Sequence, residues 1–232
     1  MGGVPRMSDR EERIRAHSGA YVDMYERKPI SRIARLVPRL RLQPHEDLVD
    51  VACGNAMLLP LIHDRVRSYA GVDFSPEFID VARRRAGEHG ISNCTFHCAD
   101  VVDFCNARNG QFDVATALDF SEHIEDAEFI AIFTAIHASM RAGGRLYLHT
   151  PNLEFILERL KERGILRQFP EHIAVRSAPH LVRLLDQCGF DRGKIAVEVL
   201  PHYNVMRLLH PLRHLPVVGR VFAARLFIEC RA

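Results

Sequence analysis

From residue 48 to residue 149 the chain alternates short β-rich runs with helical stretches, and few architectures accept that order. The runs lie at 48–52, 69–72, 94–98, 112–117 and 145–149, each bounded by turn residues or by helix starts. Helices are expected near Asn55, at Ser75-Pro76, over 119–140 and after Asn152. Ser75 can cap a helix whose first turn Pro76 already fits. Strand and helix in strict turn require right-handed crossovers, hence a mainly parallel sheet with helices on both faces. A further helix at 177–188, opened by Ser177 and stopped by Gly189, precedes a strand at 195–200, and 225–230 reads as the last strand. These two late strands are expected to form an antiparallel edge.

Ahead of this unit, Ser8-Asp9-Arg10-Glu11 reads as a capping box for a polar helix to about Lys28. A second helix restarts at Pro29 with an apolar stripe of Ile30, Ile33, Ala34 and Val37, closed by Pro38 and Pro44. Residues 1–45 are therefore read as a helical extension or lid, and 46–232 as one α/β domain. At 232 residues, 47% apolar and 26% charged, the chain can bury a sizeable core, which excludes disorder and a disulfide-dense miniprotein. No apolar run approaches the roughly 18 residues that cross a bilayer. Asp9, Glu11 and Glu12 near the start argue against a signal peptide, so a soluble cytoplasmic protein is expected. The six cysteines form no CxxC pair and read as reduced thiols, with Cys94 and Cys98 as small buried hydrophobes.

Charge is distributed unevenly. Residues 1–45 carry +5 and residues 202–232 carry +4, against −7 between them. Basic ends around an acidic centre fit an anionic substrate or a membrane surface, and solvated helix faces explain them as well.

The first strand runs into Asp50-Val51-Ala52-Cys53-Gly54-Asn55-Ala56, a turn of small residues that lets a ligand approach the backbone. Ala52 and Ala56 stand where a dinucleotide site would place glycines, which disfavours NAD and FAD. Asp73 ends the second strand and can accept hydrogen bonds from both hydroxyls of a ribose. Asp100 follows the third strand, where a short polar side chain can meet the edge of an adenine. Each aspartate also fits an ordinary turn or cap, but together they suit one ligand.

Through VDVACGNA at 49–56, GVDFS at 71–75, CAD at 98–100, FDVATALDFSEHIED at 112–126 and RAGGRLYLHTPN at 141–152, the chain resembles the class I S-adenosylmethionine-dependent methyltransferases. The resemblance implies a Rossmann-like sheet of seven strands, mostly parallel with the last antiparallel, and S-adenosylmethionine as cofactor. It places Asp50 and the Ala52, Cys53, Gly54 turn along the methionyl part, Asp73 at the ribose, and Asp100 with Val101 at the adenine, and it counts Phe74 and Leu118 among the cofactor-binding residues. Tyr21 and Tyr25 are lid candidates, with amphipathic-helix packing the favoured alternative.

After the fourth strand, Asp119, Glu122 and His123 have the i, i+3 and i+4 spacing of one helical face. Two acids and an imidazole can act as a general base with an orienting partner, or can ligate a divalent cation. A helix start with a capping Asp119 explains both acids without chemistry but leaves His123 unexplained. The element is similar to the acid-x-x-Glu-His pattern of metal-using O-methyltransferases of ubiquinone biosynthesis and of small-RNA 2′-hydroxyls. That resemblance implies His172 as a further ligand beside Asp119, Glu122 and His123, with magnesium or manganese bound.

Residues 153–176 and 201–224 break the pattern and are expected to shape the acceptor site. In the second stretch, His202, Tyr203, Met206, Leu208, Leu209, His210 and Leu212 suit an apolar acceptor pocket, whereas Leu215, Val217, Val218, Val221 and Phe222 with Arg213, Arg220 and Arg225 suit either a membrane surface or, as favoured, core packing. Pro211 is expected to disrupt the helix around His210 and His214. The expected activity is O-methylation of a small hydroxylated metabolite such as a phenol, sugar or polyketide-like molecule. RNA 2′-O-methylation or N-methylation is the alternative, and a non-catalytic cofactor-binding regulator is the alternative of another class. Convergence of basic residues from both termini around Asp119 would favour RNA.

Overall fold

The computed structural model describes residues 18–168 and 172–232. Seven strands form one sheet in the order β3-β2-β1-β4-β5-β7-β6: β1 Asp47–Val51, β2 Ser68–Asp73, β3 Cys94–Cys98, β4 Phe112–Leu118, β5 Met140–Pro151, β6 Ala196–Leu200 and β7 Arg225–Arg231. β1 to β5 pair in parallel, and β7 lies antiparallel between β5 and β6. The last strand is thus the reversed one, inserted beside the sheet's edge strand. Because strand order reverses between β1 and β4, a crevice opens beyond their carboxyl ends.

Period-2 alternation supplies both faces. Val49 and Val51 enter one buried cluster with Phe129, Phe133, Leu181 and Leu185, while Leu48 joins the other with Leu36, Leu40, Leu59 and Ile62. Helices cover both sides, as a parallel sheet requires. They are α1 Ala20–Glu26, α2 Ser31–Ala34, α3 Leu59–Ile62, α4 Pro76–Glu88, α5 Val101–Asn106, α6 Asp126–Ser139, α7 Ile156–Glu162 and α8 Ala178–Gln187. Ser75 caps α4 as expected, its hydroxyl accepting from the Phe78 N–H. The capping box at Ser8 lies outside the described residues.

Several expectations are corrected. The stripe after Pro29 is Ile33, Leu36, Val37 and Leu40, all buried against the sheet, while Ile30 is exposed. A 3-10 turn at Val37–Arg39 follows α2 and rotates the face. Cys94 is half-buried and Cys98 exposed, because β3 is an edge strand. No helix starts near Asn55, since residues 52–58 form an irregular turn before α3, and none spans 119–140. Asp119 has φ +55°, a 3-10 turn occupies Ser121–His123, and α6 starts only at Asp126. Around Pro211 a 3-10 run continues over Val205–His214 rather than breaking. Among the described residues, no helix is long and apolar enough to cross a membrane.

Candidate functional site

The crevice holds a cavity of about 620 Å³, within the range of small-molecule sites. Asp50, Ala52, Cys53, Gly54, Asp73, Phe74, Asp100, Val101 and Leu118, all expected at the cofactor, line it together. Ala52, Gly54 and Ala56 each have positive φ, at 52°, 52° and 51°. The turn therefore asks for the left-handed conformation at alternate residues, and two of the three are alanines for which it is strained. Backbone bonds hold it: the Cys53 N–H donates to the Val72 carbonyl at 3.1 Å, and the Ala56 N–H to that of Cys53 at 2.9 Å.

Asp73 Oδ2 accepts from the Gly54 N–H and Oδ1 from the Ser75 N–H, both at 2.9 Å. A carboxylate offers about four acceptor sites, so two backbone bonds orient this side chain in the wall it lines. Asp50 is fixed by the hydroxyls of Tyr69 and Thr116, each donating at 2.6 Å. Burial, with the charge of Asp73 adding, outweighs those two bonds and pushes the Asp50 carboxyl up to about 6. Asp100 caps α5, its Oδ1 accepting from the N–H groups of Val102 and Asp103 at 2.8 and 3.3 Å. The capping and cavity-lining readings of Asp100 hold at once. Tyr21 and Tyr25 also line the cavity and pack edge-on against Phe78, at 6.1 and 5.6 Å between ring centroids.

The residues expected at the acceptor separate into two groups. Asp119 does not share a helical face with Glu122 and His123, because its backbone turns left-handed and its carboxylate is taken elsewhere. Oδ1 accepts from Arg225 and lies 2.8 Å from His149 Nδ1, and Oδ2 accepts from Arg32 at 3.0 Å and from the Tyr203 hydroxyl at 3.3 Å. Burial would raise its pKa, but Arg225, His149 and Arg32 together hold it well below the usual carboxylate range. Arg32, Arg35 and Arg225 all lie over the Tyr203 ring, at 4.8, 4.7 and 4.6 Å.

Glu122, His123 and His172 form the second group, with one potential ligand atom from each lying within 4.8 Å of the others. His123 lines the cavity, and its ring meets that of His172 edge-on at 5.1 Å. The Thr150 hydroxyl donates to Glu122 Oε2 at 3.0 Å. Burial and the neighbouring Asp119 charge push Glu122 upward. Burial, then His123 and nearby cations, pulls His172 down to about 3, so His172 is neutral near pH 7 and able to bind a metal.

Sequence reasoning missed the residue that assembles this group. Arg176 is buried, and its guanidinium donates to Asp126 at 2.7 Å and to the carbonyls of Ser121, Ala174 and Ile124 at 2.6, 3.1 and 2.7 Å. It thereby ties the 121–126 turn to the segment after His172, as does the Ala174 N–H donating to the Glu122 carbonyl at 3.1 Å. Arg32, Arg225 and Tyr203 were missed as well, since a lone arginine carries no spacing signal. Among the described residues of the two variable stretches, only Ile173 reaches the cavity wall. Leu208 and Leu212, expected in an acceptor pocket, are exposed instead.

A methyltransferase-domain profile matches residues 22–192, from α1 through α8. The chain belongs to the methyltransferase-domain family. The chain is 30% identical over 105 residues to the ubiquinone biosynthesis O-methyltransferase of Idiomarina loihiensis, covering 45% of this chain and 42% of that one. It is 24% identical over 127 residues to the enzyme of the same name from Acinetobacter baumannii, covering 53% of each. The matches thus span about half the length of these curated relatives. Its fold is similar to an S-adenosylmethionine-dependent methyltransferase from Archaeoglobus fulgidus, with TM-score 0.66 and 14% identity over 96% of this chain and 97% of that one. It is also similar to the cyclase SpnF, with TM-score 0.63 and 19% identity over 86% and 79%, so the fold alone does not fix the reaction.

Proposed function

We propose that this methyltransferase methylates a hydroxyl of a small acceptor, S-adenosylmethionine supplying an already activated methyl group. One observation carries the reading: His123 opens onto the same cavity as Asp50, Asp73 and Asp100, so a proton acceptor faces a nucleoside-sized site. Asp73 accepts the ribose hydroxyls, Asp50 faces the cofactor ammonium, and Phe74, Asp100, Val101 and Leu118 surround the base. Tyr21 and Tyr25 act as a lid over this half. His123 removes or relays the acceptor proton, a task that a hydroxyl needs more than a neutral amine, and which favours O- over N-methylation.

The residues around His123 also fit a divalent cation. Glu122, His123 and His172 would hold it, without Asp119, whose carboxylate is neutralised by Arg32 and Arg225. Such an ion supplies Lewis acidity that lowers the pKa of an acceptor hydroxyl. Two imidazoles and one carboxylate suit manganese better than magnesium.

A second reading, RNA 2′-O-methylation, draws on the meeting of Arg32 and Arg225, from the two ends of the chain, at Asp119. Both guanidiniums are paired there, which leaves them poor phosphate ligands and favours the small acceptor. The open cavity likewise supports an enzyme over a non-catalytic regulator. Calorimetry with S-adenosylhomocysteine, followed by methylation assays on hydroxylated compounds with and without chelator, tests the reading. Binding with turnover on a phenol, sugar or polyketide supports it, and turnover on RNA alone overturns the acceptor class. Turnover that chelator abolishes and manganese restores establishes the metal, whereas turnover indifferent to chelator leaves His123 as a metal-free base.

A further inference from the structure

Residues 199–228 contain no Asp or Glu, yet they hold Arg207, Arg213, Arg220 and Arg225. Between β6 and β7 they fold into two 3-10 runs, Val205–His214 and Gly219–Phe222. The two pack closely: a Cβ on Gly219 would lie 2.2 Å from the Arg213 carbonyl oxygen, and the Gly219 N–H donates to the Leu215 carbonyl at 2.9 Å. The segment is therefore an ordered element whose surface is defined.

That surface is apolar at its tips. Val205, Leu208 and Val217 are 71%, 70% and 90% exposed, and Leu212, Leu215 and Val218 are exposed beside them. The core packing favoured from the sequence for 215–218 is not found. Large apolar side chains clustered in one exposed element mark an interaction surface. Arg207 and Arg220 are exposed on the same element. The facing carboxylates are Glu154, 3.9 Å from Arg220, and Glu198, which Arg39 holds through both oxygens at 2.8 and 2.7 Å. The face keeps a positive excess.

Charge decides what covers it. A second copy docked by the same face would press one positive face onto another, because an isologous interface buries the same patch on both subunits. An anionic bilayer meets both features, since exposed aliphatic tips enter the headgroup boundary while arginines meet lipid phosphates. We propose that the 205–220 face docks this methyltransferase on an anionic lipid surface, with Val205, Leu208 and Val217 inserted and Arg207, Arg213 and Arg220 at the phosphates. The element follows directly on Tyr203, which donates to Asp119 at the cavity wall, so docking sets the catalytic crevice beside the membrane. The docking does not depend on the acceptor proposed above and is read without turnover.

Flotation of the full chain with vesicles of phosphatidylcholine, alone or mixed with phosphatidylglycerol, tests it. Binding to the mixed vesicles at low salt is expected, weakened about tenfold in neutral vesicles or at high salt. Leu208→Ser with Val217→Ser, and separately Arg207→Gln with Arg220→Gln, are each expected to weaken it about tenfold. Circular dichroism and S-adenosylhomocysteine affinity are expected to stay unchanged in both variants, which separates docking from folding. Absence of the full chain from the anionic vesicles, or flotation of either variant equal to that of the unsubstituted chain, overturns the proposal. So does a dimer in sedimentation that Leu208→Ser with Val217→Ser dissolves, since the face would then belong to a second copy.

Discussion

Ala52 and Ala56 occupy backbone positions that disfavour any side chain, and their different surroundings give different expectations. Left-handed alanine costs about 1–2 kcal/mol, whereas glycine gives back about 0.4–1 kcal/mol through the unfolded chain. Ala52→Gly is therefore expected to stabilise the protein by up to about 1 kcal/mol, read from a urea midpoint. Ala56 is fully buried, so Ala56→Gly also loses a packed methyl worth roughly 0.8 kcal/mol and should come out near neutral. At Asp73 the expectation concerns binding. Asp73→Ala removes charge-assisted hydrogen bonds of about 1.5–3 kcal/mol, roughly a 10- to 100-fold loss of S-adenosylhomocysteine affinity by calorimetry. An unchanged affinity would dismiss the ribose assignment. Asp50 predicts a pH dependence. With its carboxyl raised from 3.8 to about 6, the folded chain keeps a proton that the unfolded chain has lost, so this group makes stability fall as pH rises through that window. The proposed pairing of Asp50 with the cofactor ammonium requires the ionised form, so affinity should tighten up to about tenfold per pH unit below 6 and then level off. Asp50→Asn should flatten both profiles.

At the scale of elements, the 119–126 turn is held from outside itself. Arg176 reaches three carbonyls and Asp126 with one planar fork, a geometry that lysine cannot copy. Arg176→Lys is expected to lower turnover about 10- to 100-fold through misplacement of His123, with cofactor affinity unchanged. Loss of both in equal measure would point to a general folding defect instead. Asp119 ties four elements together through Arg32 of α2, His149 of β5, Arg225 of β7 and Tyr203 ahead of the 3-10 run. Asp119→Asn leaves Arg225 buried without its counter-charge and should cost about 3–5 kcal/mol in chemical denaturation. Asp119→Leu combined with Arg225→Met should cost far less than the two single changes summed, because the pair is then removed whole. Additive costs would deny the coupling.

For the whole molecule, the reversal of strand order between β1 and β4 explains why distant segments meet in one cavity. Asp50 near the end of β1, and Asp73 and Asp100 after the next two β-rich runs, stand where a parallel sheet must present them on one rim, so their place on the cavity wall was legible in the sequence. The Glu122–His123 pair was legible as a motif, but its environment was not. Spacing alone suggested a helical face shared with Asp119, whereas two arginines far along the chain in either direction turn that carboxylate away. The 215–218 segment failed for a similar reason. Its apolar residues read as core rather than surface, and the closed packing at Gly219 leaves them outside instead.

Local chemistry in the sequence determined the alternation of strands and helices, the parallel sheet and the meeting of Asp50, Asp73 and Asp100 on one cavity wall, because each depends on residues close in the chain or on strand ends that topology fixes. The tertiary structure alone decided the partners of Asp119, the Arg176 bonds that tie the 121–126 turn to the segment after His172, and the exposure of the 205–220 face. Those depend on which distant charges and backbones become neighbours, and no periodicity in a single chain encodes that.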